Sequence, residues 1–217
     1  SEEQEDGKML IDLIDGYSDD ETYPSPLNNR TMGSFTPDYI KDAEERYDFY
    51  HQKEEKIPFD LEYFNKITKG GLPNKTLNIA LAGTGVGKSL FMCHMASACL
   101  LNGRNVLYIT LEMAEEKIAE RIDANLLNVP IQQLSDPLFS KAQFRNKIDK
   151  LNKKTQGRLI IKEYPTASAH VGHFKALLNE LAMKKGFSPD IIFIDYLNIC
   201  SSSRYKNSIV NSYTFVK

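Results

Sequence analysis

Two scarcities narrow the reading of this sequence before any motif is considered. There is no tryptophan, and only three cysteines occur in 217 residues. Cys93, Cys99 and Cys200 are odd in number and show no C-x-x-C spacing, so neither a disulfide frame nor a cysteine zinc site is expected. They read as buried thiols of a reducing compartment, which points to the cytoplasm. No apolar run approaches the about 18 residues that a membrane-spanning helix needs, so no membrane partner is expected. The N-terminus, SEEQEDGKML, is acidic and polar, unlike a secretory leader with its basic and apolar regions. Ser1 stands where an initiator Met is expected, which suggests a fragment of a longer chain. Histidine is also scarce. His170 and His173, three apart, could offer two metal ligands on one helical face, but no nearby Cys or second His pair completes a tetrahedral set. Two polar residues opening a helix is the simpler expectation.

What is present favours one sizeable core, since 41% of the residues are hydrophobic. The net charge is only −2, but it is unevenly spread. Residues 1–60 hold 6 basic and 17 acidic side chains, and residues 61–217 hold 21 basic and 12 acidic ones. A basic body behind an acidic arm suits a protein that handles a polyanion. A solvated lysine-rich surface would have the same composition.

Residues 1–35 are acidic and contain clustered Pro24, Pro26, Asn28 and Asn29, the pattern of a flexible linker. In the following segment Thr36 can cap a helix, Pro37 suits its first position and Asp38 complements its positive end. Ile40, Ala43, Tyr47 and Tyr50 then make a narrow apolar stripe, suited to docking on another surface. From residue 57 strands and helices alternate. TLNIAL (76–81) reads as a short buried strand, followed by a glycine loop and an apolar helix over 89–102. NVLYIT (105–110), RLIIKEY and DIIFIDYL read as three further strands. Between them, a helix aligns Ile118, Ile122 and Leu126. Ser140 and Gln143 make a candidate capping box for a helix toward Lys154. Phe174, Leu177, Leu178 and Leu181 mark a helix ending at Gly186. Continuous apolar strands alternating with helices imply an α/β fold with a parallel sheet covered on both faces.

The chemistry is concentrated in AGTGVGKS, residues 82–89. A phosphate cradle needs inward backbone N–H groups, glycines that let the chain approach, and a helix N-terminus. The strict P-loop pattern G-x-x-x-x-G-K-[ST] is met except that Ala82 replaces its first glycine. That position leaves the strand before the tight turn, where a methyl group need not obstruct a nucleotide. The candidate phosphate-binding residues are Gly83, Thr84, Gly85, Val86, Gly87, Lys88, Ser89 and Leu90. Lys88 supplies a cation for the β/γ-phosphates and Ser89 a hydroxyl for Mg²⁺. Hydrolysis also requires a carboxylate on a neighbouring strand and a group that activates water. Asp195, ending IIFID, and Glu112, following YITL, both emerge at the carboxyl edge where α/β sheets bind ligands. Asp195 could instead merely cap a turn, and Glu112 has weight only because it shares that edge.

Taken together, FDLEYFNKITKGGLPNKTLNIALAGTGVGKS, LYITLEMAEEKIAERI and IIFIDYLNIC resemble the ATPase domain of DnaB-like replicative helicases, in the form found in T4-type bacteriophages. Alanine at the first P-loop position is common in that family. The resemblance implies a RecA-like P-loop NTPase fold, ATP and Mg²⁺ bound between subunits of a ring (a hexamer), and 5′-to-3′ movement on single-stranded DNA. A primase and a helicase loader are the implied partners. Residue by residue, it implies phosphate and metal binding by Lys88 and Ser89, metal binding by Asp195 as the Walker B aspartate, and catalysis by Glu112 as the glutamate that polarises water. Residues 36–56 resemble the linker helix that packs on a neighbouring subunit, and residues 57–217 the first portion of the ATPase domain. The family's N-terminal domain, sensor glutamine, arginine finger and most DNA loops would lie outside the sequence. Arg204 and Lys206, in SSSRYKNSIVNSY, are candidate DNA-phosphate contacts, although an ordinary solvated loop fits equally. Two other functions share these features: a RecA-type recombinase, and a nucleotide-dependent assembly module that does not hydrolyse.

Overall fold

The computed structural model describes residues 43–51 and 55–201. The chain divides after residue 54, and the two parts are described separately. The expected linker over 1–35, together with Thr36, Pro37 and Ile40, lies outside the described residues. In the first part helix α1 spans Ala43–His51. Tyr47 and Tyr50 are largely exposed on it. The linker helix expected over 36–56 does not extend to its last residue, because Lys56 already belongs to a strand.

The second part opens with a motif that sequence periodicity did not reveal. Strand β1 (Lys56–Ile57) pairs antiparallel with β2 (Leu72–Pro73), and helix α2 (Glu62–Ile67) lies between them. Two-residue strands are too short to carry a period. The local glue is polar: the Asn65 side chain accepts from Phe59 N at 2.7 Å and donates to Phe59 O at 2.6 Å.

The main body then runs α3 (Lys88–Leu101), β3 (Val106–Thr110), α4 (Glu115–Leu127), α5 (Ile131–Leu134), α6 (Lys141–Asn152), β4 (Leu159–Glu163), α7 (Val171–Lys185) and β5 (Ile191–Asp195), closed by a 3-10 turn at Leu197–Ile199. The strands form a parallel sheet in the order β4-β3-β5. Every residue of β3 is buried, as a central strand covered on both faces requires. Alternation sends Val106 and Tyr108 to one face, against Cys93, Ala96 and Cys99 of α3 and Ile118 and Ile122 of α4. Leu107 and Ile109 go to the other face, against Leu177 and Leu181 of α7. Each Val, Leu or Ile among them, withdrawn from water, contributes about 1.5–3 kcal/mol before entropy is charged. This is the expected parallel sheet with helices on both sides.

Local signals for the helices hold closely. Ile118 and Ile122 are buried on α4, with Leu126 half-buried beside them. The capping box of α6 is formed: Gln143 N donates to Ser140 Oγ at 3.2 Å, and Ser140 N donates to Gln143 Oε1 at 2.8 Å. Helix α7 ends with Gly186 as its C-cap. His170 and His173 open that helix in a reciprocal cap, with His170 N donating to His173 Nδ1 and Gly172 N to His170 Nδ1. Their Nδ1 atoms serve the backbone, and no metal-holding group of His, Cys, Asp and Glu occurs among the described residues.

One element departs from expectation. TLNIAL is neither a strand nor buried. Leu77, Ile79 and Leu81 are 86%, 74% and 95% exposed. A strand needs a hydrogen-bonded neighbour, and among the described residues β5 is paired on one side only, with β3. The apolar run therefore carries the composition of a central strand without a ladder among the described residues.

Candidate functional site

The helix that follows the glycine loop begins at Lys88, and its N-cap is Gly87. The strand expected before the loop is absent, so the loop is organised from its helical side. Gly85 has φ 77° and Gly87 has φ 105°, conformations that L side chains rarely adopt. These two residues turn the chain into α3, where Phe91 N donates to Gly87 O at 2.9 Å. The first turn of α3 contains no acidic residue. Its free N–H groups and positive dipole end are consequently not neutralised locally, which suits an anion. Gly83, Thr84, Gly85 and Val86 are exposed, Lys88 and Ser89 are half-buried, and Leu90 is 58% exposed.

Asp195 ends β5 and pairs across the ladder with Thr110, which in turn pairs with Glu163 of β4. This row forms the carboxyl edge of the sheet. The cross-strand register puts Asp195 on the face covered by α3 and α4, the face that also holds Tyr108. The carboxylate is 1% exposed. Its Oδ2 accepts from the Tyr108 hydroxyl at 3.0 Å. Its Oδ1 is buried with no hydrogen-bond partner in the described structure. A buried carboxylate oxygen left unpaired is costly, and it fits a cation or a cation's water shell. Next along the chain, Tyr196 places its ring under the ammonium of Lys88, 3.9 Å from Nζ to the centroid. The contact links the first residue of α3 to the residue that follows the carboxylate.

Glu112 follows β3 by two residues and is exposed. The turn that carries it is held from several sides. Leu111 N donates to Asp195 O at 2.9 Å, extending the ladder by one bond. Thr110 Oγ1 accepts from Met113 N at 3.1 Å and donates to Met113 O at 2.8 Å. Glu163 Oε2 accepts from Glu115 N at 3.0 Å at the start of α4. Glu112 thus stands at the same sheet edge as Asp195, on a turn clamped at both ends. Arg204 and Lys206 lie outside the described residues.

Three contributors escaped sequence reasoning: Tyr108, Tyr196 and Thr110. Only the aromatic interruption of an aliphatic strand hinted at Tyr108, because strand order cannot be read from one sequence. Burial, together with Cys93 and Asp195, pushes the Tyr108 hydroxyl far above its ordinary pKa, so it remains a donor. The Cys93 thiol, itself raised by burial, donates to the Tyr108 oxygen at 3.8 Å.

Known proteins share both sequence and architecture with this chain. The DnaB-like replicative helicase of Enterobacteria phage T4 is 50% identical over 181 residues, which cover 83% of this chain and 38% of that protein. The chain therefore spans well under half the length of that relative. Among solved structures, a DnaB-like replicative helicase described with its primase interactions superposes with a TM-score of 0.57 at 17% identity, covering 78% of this chain and 42% of that one. A second solved structure, of an ATPase domain, superposes with a TM-score of 0.56, also at 17% identity, covering 79% of this chain and 60% of that one. These structural likenesses establish the RecA-like fold. The model of the DnaB-like helicase C-terminal domain matches residues 57–213, from β1 past the Asp195 edge, and the chain belongs to that family.

Proposed function

We propose that this chain forms the ATP-binding and ATP-hydrolysing part of a replicative helicase subunit, with Lys88, Ser89, Asp195 and Glu112 as its working residues. The observation that carries the reading is the Lys88–Tyr196 contact, which joins an acid-free helix N-terminus behind a glycine loop to the strand end whose buried aspartate has an unpaired oxygen. The triphosphate would lie against the backbone N–H groups of residues 83–90, where the helix dipole and the Lys88 ammonium favour its charge. Ser89 and Asp195 Oδ1 would hold a Mg²⁺ ion. Such an ion, when bound, neutralises phosphate charge and orients the phosphoryl oxygens. Glu112 would accept a hydrogen bond from the attacking water and orient it toward the γ-phosphorus. The 112–115 turn keeps that carboxylate at the edge while leaving it accessible. ATP bound between subunits of a hexameric ring, 5′-to-3′ movement on single-stranded DNA, a primase partner and a helicase loader extend the same proposal. So does the division into a linker over 1–35, a linker helix and an ATPase portion from residue 57.

The test uses the complete gene product. Lys88→Ala should abolish nucleotide binding. Glu112→Gln should bind ATP normally while turnover falls about 10²–10⁴-fold, the range for loss of a positioned base. Undiminished steady-state hydrolysis by Glu112→Gln overturns the role given to Glu112. Unwinding of a forked duplex, assayed beside strand exchange, separates the helicase from a recombinase. Nucleotide-dependent rings without DNA-stimulated turnover would identify an assembly module.

A further inference from the structure

Tyr108 is wholly buried, lies in no nucleotide-binding motif, and gives the Asp195 side chain its one hydrogen bond within the described structure. We infer that Tyr108 is a positioning residue for the divalent cation: its hydroxyl holds Asp195 Oδ2, leaving Oδ1 presented to the metal. This rests on the reading of Asp195 as a cation ligand.

The geometry leaves the hydroxyl little freedom. The ring stacks on Phe193 at 5.8 Å between centroids and 20° between planes, two residues before the Thr110–Asp195 pair in the same ladder. The Cys93 thiol donates to the phenol oxygen, so the phenol's own proton is committed to the carboxylate. A carboxylate can exchange its two oxygens by rotation about its terminal bond. With Oδ2 anchored, that rotation breaks a buried hydrogen bond, and Oδ1 stays aimed away from Tyr108. Outer partners of this kind orient ligands and tune affinity, and removing one costs about 10–100-fold in metal binding.

The test is Mn²⁺ binding to the complete protein in the presence of a non-hydrolysable ATP analogue, read by the electron-spin signal of free Mn²⁺. Tyr108→Phe keeps the ring and removes the donor. It should weaken Mn²⁺ binding about 10–100-fold, while affinity for the analogue in EDTA stays at the unsubstituted value. Leu181→Ala empties part of the core on the opposite face of the sheet, away from Tyr108 and the carboxylate. It should lower the melting temperature and leave Mn²⁺ affinity intact. Asp195→Asn reports on the underlying reading. If Asp195→Asn loses Mn²⁺ affinity while Tyr108→Phe retains it, the role of Tyr108 is refuted and the site reading survives. If Leu181→Ala weakens Mn²⁺ as much as Tyr108→Phe, the effect is general packing and the inference falls. Unchanged Mn²⁺ affinity in Asp195→Asn removes the site reading and the inference together.

Discussion

The chemistry depends on residues whose conformation is as specific as their side chains. Gly87 caps α3 with φ 105°. A Cβ there would meet only Leu90 Cδ1 at 4.0 Å, an ordinary van der Waals contact. The objection to a side chain is therefore backbone strain and not crowding. Gly87→Ala is expected to lower stability by about 1–3 kcal/mol and to weaken nucleotide affinity, because Lys88 and Ser89 take their direction from that turn. Urea unfolding and a nucleotide titration check this, and a variant equal to the parent in both would contradict it. Residues of this kind were legible in the sequence. Gly85, Gly87, Lys88 and Ser89 are specified by spacing alone, since the turn, the helix start and the cation all lie within a few residues of one another. Tyr108 was not legible. Its role depends on β3 lying beside β5, which joins residues 87 positions apart, and no local pattern encodes that pairing.

Elements convert those residues into a site. The decisive one is the turn from β3 into α4, where Thr110 makes reciprocal hydrogen bonds with the Met113 backbone. Thr110→Val preserves the buried shape and removes both bonds. Leaving the Met113 backbone unsatisfied should cost about 1–3 kcal/mol. Turnover should fall more than nucleotide affinity, because Glu112 rides on the turn while the glycine loop does not. Separate measurement of the two constants decides it, and parallel losses would speak against the clamp. At this scale sequence reading succeeded for amphipathic helices and continuous strands, and failed for TLNIAL. Its composition matches a buried strand, but composition describes a residue's preference for burial and cannot supply the neighbouring strand. The β1/β2 pair failed for the opposite reason. It is held by Asn65 and a two-residue ladder, with almost no apolar periodicity to detect.

At the scale of the whole molecule, burial makes the core sensitive to alkali. Cys99 is fully buried behind the sheet, and its thiol is pushed from 9.0 to about 11, chiefly by desolvation. Cys93 and Cys200 shift in the same direction. Between these two pH values the folded chain keeps a proton that the unfolded chain has released. The contribution is full below pH 9 and is lost as pH rises through about 11, amounting to about 2–3 kcal/mol for Cys99. Denaturant midpoints for the parent and for Cys99→Ala, measured from neutral to alkaline pH, should show a shallower decline in the variant. Identical slopes would place the titrating groups elsewhere.

By itself the sequence determined the glycine loop, the helix that follows it, the strands with their carboxyl-edge acids and the α/β class, because each is written in contiguous residues with a local physical meaning. Tertiary structure alone decided that Asp195 anchors Oδ2 on Tyr108 and leaves Oδ1 without a hydrogen-bond partner in the described structure, that Tyr196 lies beneath Lys88, and that TLNIAL finds no ladder among the described residues. Those outcomes turn on which distant segments become neighbours in the sheet, and hydrogen bonds across that distance follow from packing.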